Sequence, residues 1–99
     1  KDNFFKCIID RMSIQHNSIE DIELIFNEVF RTLEDGGLFF SILTAEADYD
    51  LITTYLSKEK LKLMLLKHTN HIEITEVIKK KNGDIISKVN IVIAKKLSQ

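Results

Sequence analysis

The sequence predicts an α/β domain of element order β-α-β-α-β-β, with helices packed on an open sheet and a C-terminal antiparallel hairpin. Three stretches predict it. Residues 18–43 join an amphipathic helix, a Gly-Gly pair and a dense apolar strand. Ahead of them, Phe4-Phe5-Lys6-Cys7-Ile8-Ile9 is a nearly continuous apolar run, which reads as a parallel strand covered on both faces. Near the end, Asn82-Gly83 stands between two β-rich runs, the strongest short signal for a two-residue hairpin.

Taken in order, the first strand is expected over 4–9, and the loop 10–17 leads from it to the helix. Ile19, Ile22, Ile25, Phe26, Val29, Phe30 and Leu33 fall at the spacing that gathers side chains onto one helical face. Ser18, with Asp21 three residues on, suits a capping box, and Glu20, Asp21 and Glu23 suit the positive end of the helix dipole. Gly36 is expected to end this helix in a left-handed conformation, and Gly37 to turn the chain into a strand over 38–44. The two strands flanking the helix then lie parallel, joined by a right-handed crossover.

Residues 45–51 carry Glu46, Asp48, Tyr49 and Asp50 and read as a solvated acidic loop, or, together with Tyr55, as a surface suited to a cationic or hydroxylated ligand. Ser57 can cap a second helix running to about Lys67, with Leu61, Met64 and Leu65 on one face as core. Residues 72–79 alternate as an edge strand. Residues 85–94, apolar on both faces around Val89–Ala94, suit an interior strand.

Composition narrows the function classes. At 99 residues the chain is at most one small domain, and 44% hydrophobic residues argue for a folded one. A formal net charge of −1 gives no electrostatic reason to expect nucleic acid or an anionic membrane as partner. The single cysteine, Cys7, excludes an internal disulfide and points to a reducing, cytoplasmic setting. Within an apolar strand it is expected to be buried and inert. His68 and His71 lack a Cys or carboxylate at ligand spacing, so no metal site is expected.

The run Asn3–Asp10, then His16, then Glu28-Val29-Phe30-Arg31-Thr32-Leu33-Glu34-Asp35-Gly36-Gly37-Leu38-Phe39 resembles the middle of a class I S-adenosylmethionine-dependent methyltransferase. In that family the fourth strand starts near a Phe-Asp pair, the following loop often carries a His, and the next helix ends in Arg-Val-Leu-Lys-Pro-Gly-Gly. Here Thr32 stands for the Val, Glu34-Asp35 replaces Lys-Pro, and Asn3-Phe4-Phe5 lacks the Asp after the aromatic. The resemblance spans residues 1–99 and implies the C-terminal half of a Rossmann-like methyltransferase sheet, strand order 4-5-7-6. The cofactor half, with its glycine loop, would lie before Lys1. The sequence has no G-x-G turn, and its only glycine besides Gly36 and Gly37 is Gly83.

The resemblance implies methyl transfer from S-adenosylmethionine to a small-molecule acceptor in the full-length protein, by displacement at the sulfonium methyl carbon. It places the loop after the first strand over the crevice where donor and acceptor meet. The Asp10-Arg11 pair resembles that of some small-molecule methyltransferases, including the thiopurine type, and implies that both line the acceptor or cofactor-methionine side. His16 has a pKa suited to a general base. Most residues that hold the cofactor would lie in the other half. The plain alternatives are a surface ion pair for Asp10 and Arg11, and a polar loop residue beside the helix cap for His16.

The 99-residue chain alone is expected to be inactive. Its first strand, residues 4–9, would expose an edge, so self-association there is expected. The rival function is a non-catalytic interaction or dimerisation module. Another Rossmann-like protein sharing the strand-helix-Gly-Gly-strand pattern is a third reading.

Overall fold

The structure, a computed structural model, describes residues 4–11, 14–47 and 56–97. Its elements are β1 (Phe5–Arg11), a 3-10 turn (Ile14–His16), α1 (Ile19–Thr32), β2 (Leu33–Ala47), α2 (Lys58–Leu65), β3 (His71–Lys81) and β4 (Asp84–Lys95). The four strands form one sheet in the order β1-β2-β4-β3. β1 runs parallel to β2, while β4 pairs antiparallel with both β2 and β3. The last strand is thus interior and the one before it is the edge, as their apolar patterns require.

Both helices cover the same face of the sheet. Ile8 pairs with Phe39, Phe39 with Ala94, and Ala94 with Ile72, so one register row crosses all four strands on that face. Onto it α1 turns Ile22, Phe26, Val29 and Phe30, and α2 turns Leu61, Met64 and Leu65, all buried. Phe39 is the hub: it meets Phe26 and Phe30 edge-to-face, at ring-centroid distances of 5.9 and 6.1 Å.

Local chemistry sets the ends of the elements. The Asp21 N–H donates to Ser18 Oγ at 3.2 Å, and the Lys60 N–H to Ser57 Oγ at 3.1 Å, so each helix has its expected serine cap. Asn82 (φ 53°) and Gly83 (φ 85°) are both left-handed, the requirement of a type I′ hairpin.

Three expectations are corrected. α1 ends at Thr32, and its cap Leu33 is already extended, with φ −69° and ψ 138°. Gly36, at φ +81°, is therefore not the helix stop; it lies inside an irregular start of β2. There β2 shifts register against β1 between Phe5 and Cys7, passing from Leu33 to Leu38. The Gly36 N–H donates to Lys96 O at 2.8 Å, the Lys96 N–H to Gly37 O at 2.9 Å, and Lys96 Nζ to Leu33 O at 2.7 Å. The backbone there satisfies itself through the chain beyond β4 rather than through a helical cap.

Secondly, β1 is not covered on both faces: Phe4, Phe5 and Ile9 are exposed, Ile9 by 72%. β1 is an edge strand, and both helices lie on the opposite face from Ile9. Thirdly, Cys7 shares that open face and is exposed rather than buried.

Candidate functional site

In an open α/β sheet, ligands gather beyond the carboxyl ends of the parallel strands. Here those are the ends of β1 and β2. Asp10 is the penultimate residue of β1 and is buried on the helix-covered face. Its register partner across the parallel pair is Ser41 of β2, fully buried, whose Oγ donates to Asp10 Oδ2 at 2.9 Å. A carboxylate in an otherwise apolar layer is costly without such a donor.

Asn90 of β4 lies on the same face, one register step along from Val92, the partner of Ser41. It is completely buried. Its Nδ2 donates to Leu56 O at 3.0 Å, while Oδ1 has no hydrogen-bond partner among the described residues. Asp10, Ser41 and Asn90 thus interrupt, with polar atoms, a face otherwise built from Ile8, Phe39, Leu43, Val92 and Ala94.

The residues singled out from the sequence do not converge on one point. Arg11 follows Asp10 in an extended strand and so turns to the opposite face, where it is exposed. The Asp10-Arg11 surface pair is therefore replaced by the buried Asp10-Ser41 pair. His16 closes the 3-10 turn and is exposed. That turn precedes α1 directly, and the Asn17 side chain ties it down by donating Nδ2 to Ile14 O at 3.0 Å. The acidic loop expected from residue 45 is strand as far as Ala47, because β2 stays paired with β4 through Glu46 and Ala47; Asp48, Tyr49, Asp50 and Tyr55 lie outside the described residues.

Sequence reading missed Ser41 and Asn90. The signal was present: each occupies an inward position of its strand's alternation, Phe39-x-Ser41-x-Leu43 and Asn90-x-Val92-x-Ala94. A polar residue at a core position of a strand is the informative exception.

Nothing among the described residues fits a nucleotide-like cofactor cradle. Gly36 and Gly83 have no heavy atom within 4 Å of an added Cβ. At Gly37 the Cβ would meet Glu34 O at 2.8 Å and Lys6 O at 3.2 Å, so its lack of a side chain serves the chain's own backbone. No group of three His, Cys, Asp or Glu residues among the described residues could hold a metal ion. No helix among them is long and apolar enough to cross a membrane.

No protein-family model and no curated protein sequence matches the chain. Solved structures do match its fold. Phosphoethanolamine N-methyltransferase 2 of Haemonchus contortus, in complex with phosphomonomethylethanolamine and S-adenosylhomocysteine, aligns at TM-score 0.79 and 14% identity, over 99% of this chain and 34% of its own. The N-methyltransferase NodS of Bradyrhizobium japonicum, in complex with S-adenosylhomocysteine, aligns at TM-score 0.71 and 8% identity, over 97% and 48%. The [4+2]-cyclase SpnF aligns at TM-score 0.72 and 15% identity, over 99% and 52%. The chain thus has the fold of part of a Rossmann-like methyltransferase domain, and it spans between one third and about half of these proteins' length.

Proposed function

We propose that this chain is the acceptor-side part of an S-adenosylmethionine-dependent methyltransferase that acts on a small molecule. The observation that carries the reading is the strand order β1-β2-β4-β3, with an antiparallel last strand inserted beside a parallel pair. The Arg31–Gly37 helix-to-strand passage accompanies it. S-adenosylmethionine, whose demethylated product occupies two of the neighbours, would be the methyl donor. The described residues build no cradle for it, so in this reading the donor site belongs to whatever completes the sheet, and the chain alone is inactive.

The chain's part lies at the strand ends. Asp10, held by Ser41, and exposed Arg11 and His16 flank the entry to α1, the side on which an acceptor would be oriented. His16 is the candidate base for acceptors that must lose a proton. The single, unpaired cysteine suits a cytoplasmic enzyme.

A second reading, a non-catalytic interaction module, is favoured by the exposed apolar edge of β1. The cyclase among the neighbours underlines that this fold does not dictate one chemistry.

The test is the reading frame upstream of the Lys1 codon, followed by expression of its product. Methyl transfer is expected when that frame encodes an apolar strand, a glycine-rich turn opening a helix, and an acidic residue roughly 20 positions on. The product should then label small acceptors from radioactive S-adenosylmethionine, and Asp10→Ala or His16→Ala should lower that labelling. A frame that starts at Lys1, or a longer product that neither binds nor uses the donor, overturns the reading in favour of the module.

A further inference from the structure

Both helices start at the carboxyl end of the parallel pair, since α1 follows β1 and α2 follows β2. On the face they share, that end carries two polar points. One is the Asp10–Ser41 pair. The other is Asn90, opposite Leu43, two residues and so about 7 Å nearer the strand end than the row of Ser41.

Asn90 occupies a place that suits an apolar residue. It is fully buried, as are Leu43 across from it and Val92 two residues along the same face. Its Oδ1 is closed off from water and has no partner among the described residues, which lowers stability. A core position that breaks the local rule in this way is expected where function is served. The hydrogen bond that Asn90 does make runs from Nδ2 to Leu56 O, at 3.0 Å. Leu56 stands directly before Ser57, the cap of α2, whose carbonyl takes the first helical bond from the Leu61 N–H at 2.9 Å. The Leu56 carbonyl precedes that ladder, so a side chain of β4 holds it rather than the helix.

We infer that Asn90 is a positioning residue for the methyl acceptor: by holding Leu56 O it fixes where α2 begins, and so sets the width of the crevice between the entrances of the two helices. The inference rests on the methyl-transfer reading. Asp10 and His16 stand on the α1 side of that crevice, and Leu56 and Ser57 on the α2 side. Asn90 itself is buried and acts only through Leu56. Without its donor the Leu56 carbonyl must turn toward water, because a buried carbonyl does not stay unpaired. The entrance of α2 then moves and the acceptor binds less tightly, while the donor site is untouched.

The test takes the product of the whole reading frame, radioactive S-adenosylmethionine, and serial dilutions of the small-molecule fraction of a cell extract. Asn90→Leu, close in shape but apolar, should need about tenfold more extract for half-maximal labelling, yet reach the wild-type plateau and bind S-adenosylhomocysteine as the wild type does. Val92→Ala opens a cavity on the same face but leaves the Leu56 bond intact; it should lower the unfolding midpoint without moving the half-maximum. In Asn90→Leu, hydrogen exchange of the Lys60 and Leu61 amides should quicken relative to the amides that join β2 and β4. Should Asn90→Leu not fold, Asn90→Ser, too short to reach Leu56 O, is read in the same way. A wild type that labels nothing overturns the methyl-transfer reading and this role together. Wild-type labelling with an unmoved half-maximum in the Asn90 variant, an equal shift in Val92→Ala, or unchanged exchange at Lys60 and Leu61 overturns the role alone.

Discussion

Ser41 and Asp10 sit opposite each other on the parallel β1–β2 pair, both buried, with Ser41 Oγ 2.9 Å from Asp10 Oδ2. The hydroxyl is a charge-assisted donor to a group that apolar surroundings would otherwise penalise. Ser41→Ala should lower stability by about 1.5–3 kcal/mol, the range for hydrogen bonds to charged groups. The midpoint of urea unfolding, followed by circular dichroism, measures it. Asp10→Asn should lose less, because its amide oxygen still accepts from Ser41.

The adjacent glycines should respond unequally. At Gly37 an added Cβ would lie 2.8 Å from the Glu34 carbonyl oxygen, so backbone must move; Gly37→Ala should cost about 1–3 kcal/mol, as overpacking does. Gly36 has open space around it but a φ of +81°, so Gly36→Ala should cost about 1 kcal/mol from backbone conformation alone. Thermal unfolding of the two variants side by side tests the order.

His68 stacks on Phe30, with centroids 4.9 Å apart and planes 3° from parallel. Burial, and then the charge of neighbouring Lys67, holds its pKa below the ordinary 6.5. The unfolded chain therefore binds the proton more readily, so this contribution is present above pH 6.5 and is lost as pH falls toward the folded-state value. Stability should fall between pH 7.5 and 5.5, and His68→Gln should flatten that dependence. Urea titrations at both pH values read the difference.

Asn90 divides its amide unequally: Nδ2 serves Leu56 O, and Oδ1 has no partner among the described residues. Asn90→Asp would remove the donor and set a buried carboxylate against a carbonyl oxygen. It should cost about 3 kcal/mol or more at neutral pH, the scale for an unpaired buried charge, and recover part of that in acid. A urea midpoint that rises on acidification in this variant alone would confirm the cause.

Much of the fold was legible because periodicity and end signals are local. The α1 stripe from Ile22 to Phe30, the serines at 18 and 57, and Asn82-Gly83 each act within a few residues, and each does what its chemistry demands. The apolar richness of 89–94 even placed β4 inside the sheet. Gly36 misled because a glycine after a helix reads as its stop. Here the helix stops earlier, at Thr32, whose Oγ1 folds back onto Glu28 O at 2.8 Å, and the left-handed turn serves a register shift instead. The site was less legible, because its partners are separated by 31 residues for Asp10 and Ser41 and by 34 for Asn90 and Leu56.

The sequence by itself determined the elements, their order and the parallel and antiparallel sense of their pairing, since hydrophobic period and turn chemistry are written residue by residue. Only the tertiary structure decided which face each polar residue took. Strand alternation sends neighbours apart, so Asp10 became a buried partner of Ser41 while Arg11 went to the open face. It also decided that Cys7 and Ile9 are exposed: an apolar strand is covered only where another element packs on it, and both helices pack on the other side.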